Sequence, residues 1–249
     1  MPSKTRLNTP FATTLDLPPA FRLVTLREVG DAFVYARTNA VQLGAGTLVF
    51  VGRFDLAEFA VVLEPDEPLR TARRAFYAGM AALTDALVAQ APPEKPITCV
   101  WPDTINVDGG LVGGAQFAWS DGPEDEPPDW LVFGGMIRIV SMAEGEPGLR
   151  HLSTAIGDEG FDEAGAADLV GSFARHLMMH IDAWQEFGFT MPARTYLSRL
   201  QQEKGTRGNI DDNGDLLVRR MGKVDFERRP LIAALAKTNW LNPATRGPK

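Results

Sequence analysis

At 249 residues the chain can hold one large domain and a small appendage, and its 45% apolar and 23% charged residues are the proportions of a packed globular protein. It has no run of about 18 apolar residues to cross a bilayer, its start at Met1-Pro2-Ser3-Lys4 lacks a signal-peptide core, and its one cysteine, Cys99, can form neither an internal disulfide nor a zinc cluster. A cytoplasmic protein without a membrane partner is expected, and a net charge of −7 argues against general nucleic-acid binding.

Residues 1–20 are rich in Pro and Thr and are expected to run extended on the surface. A short strand is predicted at Arg22 to Leu26, then a helix from Asp31 to Leu43 that Gly44 ends in a left-handed conformation. The β-branched run Thr47 to Val51 predicts a strand, Gly52-Arg53-Phe54-Asp55 a turn, and Glu58 to Leu63 a second, largely buried strand. Ala72, Phe76, Met80, Leu83 and Leu87 recur at helical spacing, with Gly79 beside their face where a neighbour can pack close, and Pro92-Pro93 ends that helix. Strands follow at Ile97 to Trp101, Gly114 to Trp119 and Leu131 to Val140, with a hairpin turn at Asn106 to Gly110 and an acidic loop from Ser120 to Asp129. A long helix is expected from Ala164 to Phe187, with Val170, Phe173, Leu177, Ile181 and Trp184 on its apolar face and Gly188 closing it. Beyond it come a short helix around Tyr196 to Gln202 and a hairpin turning at Asn213-Gly214.

Charge changes sign along the chain. Residues 1–189 carry 13 basic and 26 acidic side chains, residues 190–249 carry 12 and 6. The expected organisation is an extended segment over 1–19, a main domain over 20–188 and a small, basic, β-rich subdomain over 189–249. The order of elements fits an α+β fold, a mixed and largely antiparallel sheet backed by helices on one side.

Two segments carry a family resemblance. Val100-Trp101-Pro102-Asp103-Thr104, followed by Asp108-Gly109-Gly110-Leu111-Val112-Gly113-Gly114, resembles the K-W-P-N-D strand end and K-x-x-G-I-L segment of biotin protein ligases and their lipoate ligase relatives. Upstream, Gly44-Ala45-Gly46 through Gly52-Arg53 occupies the slot of that family's G-R-G-R-x-G-R-x-W loop, and Glu58 to Leu63 that of its N-L-x-x-S strand. The likeness covers roughly residues 20–187 and implies the biotin/lipoate protein ligase catalytic fold. On the matching positions the candidate ligand-binding residues are Gly44, Gly46, Arg53, Trp101, Asp103, Gly113, Gly114 and Gln116. The implied ligand is a biotin-, lipoate- or fatty-acyl-type carboxylate or its adenylate. The implied protein partner is an acyl-carrier or biotin-acceptor domain. ATP would be a cofactor only if the family's activity is retained.

The same alignment of motifs undercuts that activity. Bringing a carboxylate against a triphosphate requires concentrated positive charge, which the family supplies with loop arginines and motif lysines. Here the lysine positions are Val100 and Leu111, the Asn-Asp pair is Asp103-Thr104, and Ala45, Thr47 and Leu48 replace the loop arginines, leaving Arg53. Loss of one such donor costs about a hundredfold or more in rate, roughly 3 kcal/mol. No catalytic residue is assigned. Two functions stay open: a ligand-binding protein with weak or altered ligase or acyltransferase chemistry, and a non-catalytic pseudoenzyme that binds a carrier domain or another protein.

Several residues have competing readings. Cys99 could carry an acyl group as in the transferase relatives, but its apolar strand favours a buried structural thiol. His176 and His180 have metal-ligand spacing with no third ligand beside them, so hydrogen-bonded helix residues are expected and no metal is assigned. Asp211-Asp212-Asn213-Gly214-Asp215 lacks the alternation of a calcium loop and reads as a turn. Trp101 could stack on a ligand or belong to the core, and Gly113-Gly114 could admit a ligand or mark a bulge. The basic Arg219, Arg220, Lys223, Arg228 and Arg229 form either a docking surface for an acidic partner or a solvated face.

Overall fold

Short β-branched and apolar blocks separated by Gly and Pro punctuation become strands, and the periodic apolar stretches become helices that cover them. The structure is a computed structural model that describes residues 15–141, 152–161 and 165–249. In chain order, β1 (Arg22–Leu26), α1 (Ala32–Thr38) and α2 (Ala40–Leu43) precede the pair β2 (Thr47–Val51) and β3 (Leu56–Leu63). Then come α3 (Leu69–Ala72), α4 (Ala75–Val88), β4 (Ile97–Val100), β5 (Thr104–Val107), β6 (Gly110–Trp119) and β7 (Leu131–Arg138). After these follow α5 (Ala166–Phe187), α6 (Thr190–Arg199), β8 (Thr206–Ile210), β9 (Leu216–Arg220), β10 (Phe226–Arg229), α7 (Leu231–Leu235), β11 (Leu241–Asn242) and β12 (Gly247–Pro248).

The first seven strands form one mixed sheet in the order β1-β2-β3-β7-β6-β5-β4, parallel only between β1 and β2. The expected α+β architecture is therefore present. On one face, Phe59 and Phe133 meet Phe173 of α5 at ring-centroid distances of 4.4 and 5.7 Å. Phe76 of α4 lies 6.2 Å from Phe133. Gly79 has the role its position suggested: any side chain there would run into the Phe133 ring.

The helices are not confined to that face. The expected Asp31–Leu43 helix breaks at Asn39 into α1 and α2, and its alanines 32, 36 and 40 bury on the opposite face against Val49, Ala60 and Val132. Small side chains let this helix lie close to the sheet, and Phe33 fills the space above Gly134. Asp31 caps α1 by accepting from the Val34 amide at 2.8 Å.

The long helix ends as expected at Gly188 (φ +81), while its expected start at Ala164 lies outside the described residues. The next helix comes earlier than predicted, Thr190–Arg199 rather than Tyr196–Gln202. The Gln201 amide bonds to the Cys99 carbonyl at 2.8 Å, which takes the chain out of helix. Asn213-Gly214 does turn a hairpin, and a third strand, β10, joins it unforeseen. Tyr196, Leu200, Ile210, Leu216 and Leu231 share the main helix-side core.

Candidate functional site

The register of the sheet decides which motif residues meet. Val51 pairs with Glu58, Glu58 with Met136, Met136 with Gly114, and Gly114 with Thr104. This row lies on the face opposite α4 and α5, since Phe59, Val61 and Phe133 point to the other side. Arg53, two residues beyond Val51, and Asp103, next to Thr104, stand at its two ends. Gly44 and Gly46 precede β2 while Arg53 follows it, so a strand of about 17 Å parts the two ends of the Gly-rich segment. Both glycines take positive φ, +69 and +75, and serve the chain entry: the Gly46 amide bonds to the Val62 carbonyl at 2.9 Å.

Arg53 is engaged locally. Its Nε and Nη2 donate to Asp55 Oδ1 and Oδ2 at 2.9 and 2.7 Å, a bidentate pair. The hydrogen bonds to Asp55 hold the guanidinium pKa above its ordinary value, and those from Arg53 hold the Asp55 carboxyl below its own. Asp103 is 3% exposed, and burial pushes its carboxyl up to about 6 although Thr104 Oγ1 donates to it at 3.3 Å. Sequence reading did not single out Glu58. It is 5% exposed on this face, accepts from the Ala32 amide at 3.0 Å, and is raised by burial. The available signal was a lone carboxylate inside an otherwise apolar strand, Leu-Ala-Glu-Phe-Ala-Val-Val-Leu.

Trp101 leads a cis peptide to Pro102 and packs against the helix-side core, its Nε1–H directed to the Tyr77 hydroxyl at 3.4 Å. Gly113 leaves no room for a side chain against the Met136 backbone, and the β5–β6 register shifts between Ile105 and Asn106 opposite it. Gly114 lies under the ring of Trp240, 2.7 Å from where a Cβ would stand. Gln116 follows two residues on, partly exposed and paired with Gly134. Thus Arg53, Asp103 and Gly114 gather at one end of the far face, while Gly113 pairs with Ile105 and Ile137 of the helix-side core. Gly44 and Gly46 sit at the other end of β2, and Trp101 belongs to the helix side.

Cys99 is fully buried, and desolvation pushes its thiol up to about 12, far from a thiolate nucleophile. His180 Nε2 donates to Asp85 Oδ2 at 2.7 Å, and His176 Nδ1 to the Ser172 carbonyl at 2.9 Å. Among the described residues no group of three His, Cys, Asp or Glu is placed to hold a metal ion. Asp211 spends its carboxylate on the amides of Asn213 and Asp215 and on Arg228. Among the described residues no helix is long and apolar enough to cross a membrane.

As a setting for a triphosphate this end of the sheet does not fit. It presents two buried carboxylates, Glu58 and Asp103, against three arginines among the described residues: Arg53 is paired with Asp55, Arg138 is bonded to Ser153 and the carbonyls of Thr154, Pro248 and Lys249, and Arg246 is exposed near Glu58. A mixed seven-stranded sheet with this order, α-helices against it and this motif row defines the biotin protein ligase type of catalytic fold. The model of the biotin/lipoate A/B protein ligase family matches residues 17–198, well over half of the chain, and the chain belongs to that family.

Solved structures place it further. A biotin protein ligase-like protein of unknown function from Silicibacter sp. TM1040 is 25% identical, with a TM-score of 0.75 over 89% of this chain and 99% of that one. The biotin protein ligase of Aquifex aeolicus is 15% identical, with a TM-score of 0.62 over 84% of this chain and 99% of its own. The same enzyme in complex with biotin and ATP gives 0.58, at 15% identity over 84% and 98%. No curated protein matches.

Proposed function

We propose that this chain binds a biotin-, lipoate- or fatty-acyl-type carboxylate on the far face of its sheet and does not activate it with ATP. The observation that carries the reading is the state of Arg53. It is the one arginine left in the slot of the family's cationic loop, and its charge is paired with Asp55, which takes two of its five N–H donors. Val100 and Leu111 stand where the family has lysines, and a further cation near this row is the exposed Arg246, which favours the charged form of Glu58. Stabilising a developing phosphoryl charge with committed donors beside two buried carboxylates is unfavourable by several kcal/mol. Binding is less demanding, because an apolar acyl group needs chiefly an apolar surface, which Leu56, Met136 and Leu111, now packed under Trp240, would provide once that ring moves. A single carboxylate could then be held by exposed groups at the rim.

Calorimetric titration with biotin, lipoate and octanoate tests the binding half. Heat and saturation with at least one acid are expected. No heat and no thermal shift with any of the three would remove the reading. A second reading has a specific observation behind it: Trp240 covers Gly114, as expected of a pseudoenzyme that keeps the fold to present a protein-binding surface. Recovery of a carrier or biotin-acceptor domain by the purified protein, with no binding of the free acids, would favour it.

A further inference from the structure

Past α7 the chain crosses the far face without joining its ladder. Ala236, Lys237 and Asn239 are exposed, and then Trp240 is 2% exposed, packed with Leu56, Met136 and Leu111. Its Nε1–H donates to the Ala115 carbonyl at 3.3 Å and also faces the Asp103 carboxyl. The following β11 and β12 pair with each other and with no strand of the seven-stranded sheet. They are held by burial of Gly247 and Pro248 against the sheet and by a set of side-chain bonds to carbonyls. Arg138 donates to Pro248 and Lys249 at 2.5 and 3.0 Å, Ser153 to Lys249 at 2.7 Å, and Arg246 to Val29 at 3.5 Å. This segment can leave without breaking a single ladder bond of the sheet.

We infer that residues 240–249 are a strap that plugs the Gly114 end of the far face, and that a ligand reaches this end only by displacing the Trp240 ring. The inference rests on the binding reading above. A site open a fraction of the time binds with its affinity lowered by that fraction, so a strap open one time in a hundred weakens binding about a hundredfold. Loosening the strap must then strengthen binding. Loss of a mere wall residue would weaken it.

The test uses the full chain carrying Trp240→Ala, or the milder Ser153→Ala, titrated with biotin, lipoate and octanoate beside the wild type. Hydrogen exchange of the wild type is followed in parallel. At least one acid is expected to bind Trp240→Ala about tenfold or more tightly than it binds the wild type. Ser153→Ala, which loses one hydrogen bond to the strap, is expected to gain about two- to fivefold, and it decides the matter if Trp240→Ala does not fold. The Arg246 and Lys249 amides, bonded only within the strap, should exchange at least tenfold faster than those of the β6–β7 ladder. Unchanged or weaker binding by the variants, with the wild type binding, overturns the strap. If no acid binds any form, the reading of function has failed, and exchange alone decides. Strap amides exchanging at the ladder's rate overturn the strap, and faster exchange upholds it.

Discussion

The two faces of the seven-stranded sheet differ in what holds them. Under α4 and α5 the contact is a stack of rings, Phe59, Phe76, Phe133 and Phe173, with Gly79 cut back to admit one of them. On the far face, the end bounded by Arg53 and Asp103 carries buried carboxylates, a bidentate ion pair and an indole laid over a glycine. The first face specifies a fold by apolar volume alone. The second is where we propose the ligand binds, and charges on such a face can change while the first keeps the architecture. That separation lets a chain share a TM-score of 0.62 with a ligase although Val100 and Leu111 stand where the family's motif has lysines.

The contrast predicts effects of unequal size and kind. Phe173→Ala should be the most damaging, costing about 3–5 kcal/mol of stability in urea melts, because the rings around it cannot close the hole. A cost below about 1 kcal/mol would mean that the ring stack does not hold the fold. On the far face the main lever is pH. Burial holds the Asp103 carboxyl at about 6 when folded against an ordinary 3.8, so below pH 3.8 both states keep the proton and nothing is gained or lost. From there up to pH 6 the unfolded chain releases it first, and stability falls as pH rises, by at most about 3 kcal/mol once pH exceeds 6. Asp103→Asn should flatten that slope in melts taken from about pH 4 to 7, leaving the smaller part that Glu58, raised in the same direction, contributes.

Asp85 has the opposite sign. Burial works against its charge, but hydrogen bonds from His180 and Arg199 hold its carboxyl low, so its contribution is present above the usual carboxylate range and is lost as pH falls below it. Asp85→Ala strands His180, leaves Arg199 with its bond to Thr84, and should cost about 2 kcal/mol at pH 7. Arg53→Ala should cost least, about 1 kcal/mol or less, since its pair with Asp55 sits at the rim. A large loss there would blur the distinction between a packing face and a chemical one.

The packing face was legible in the sequence. The spacing of Phe76, Met80, Leu83 and Leu87, the stop at Gly188 and the turn at Asn213-Gly214 are local signals, and local signals survive folding. The far face was legible only in its substitutions. Val100 and Leu111 could be read as missing lysines, but which residues share a row depends on a register set by several strands. Glu58 therefore gave no sign that it would stand beside Met136 and Gly114. That Gly44 and Gly46 are parted from Arg53 was legible too, since the predicted strand Thr47 to Val51 lies between them. Three alanines are too weak an apolar pattern to place α1 on the far face. Trp240 meets Ala115 from 125 residues away, and no periodicity carries that distance.

The most direct test of a binding site without adenylation is isotope exchange between pyrophosphate and ATP, run with magnesium and each of biotin, lipoate and octanoate on the wild-type chain. Exchange reports formation of an acyl adenylate whatever the acceptor. None above the protein-free blank is expected with any acid. Acid-dependent exchange that a Trp240→Ala or Arg53→Ala variant alters would contradict the absence of activation.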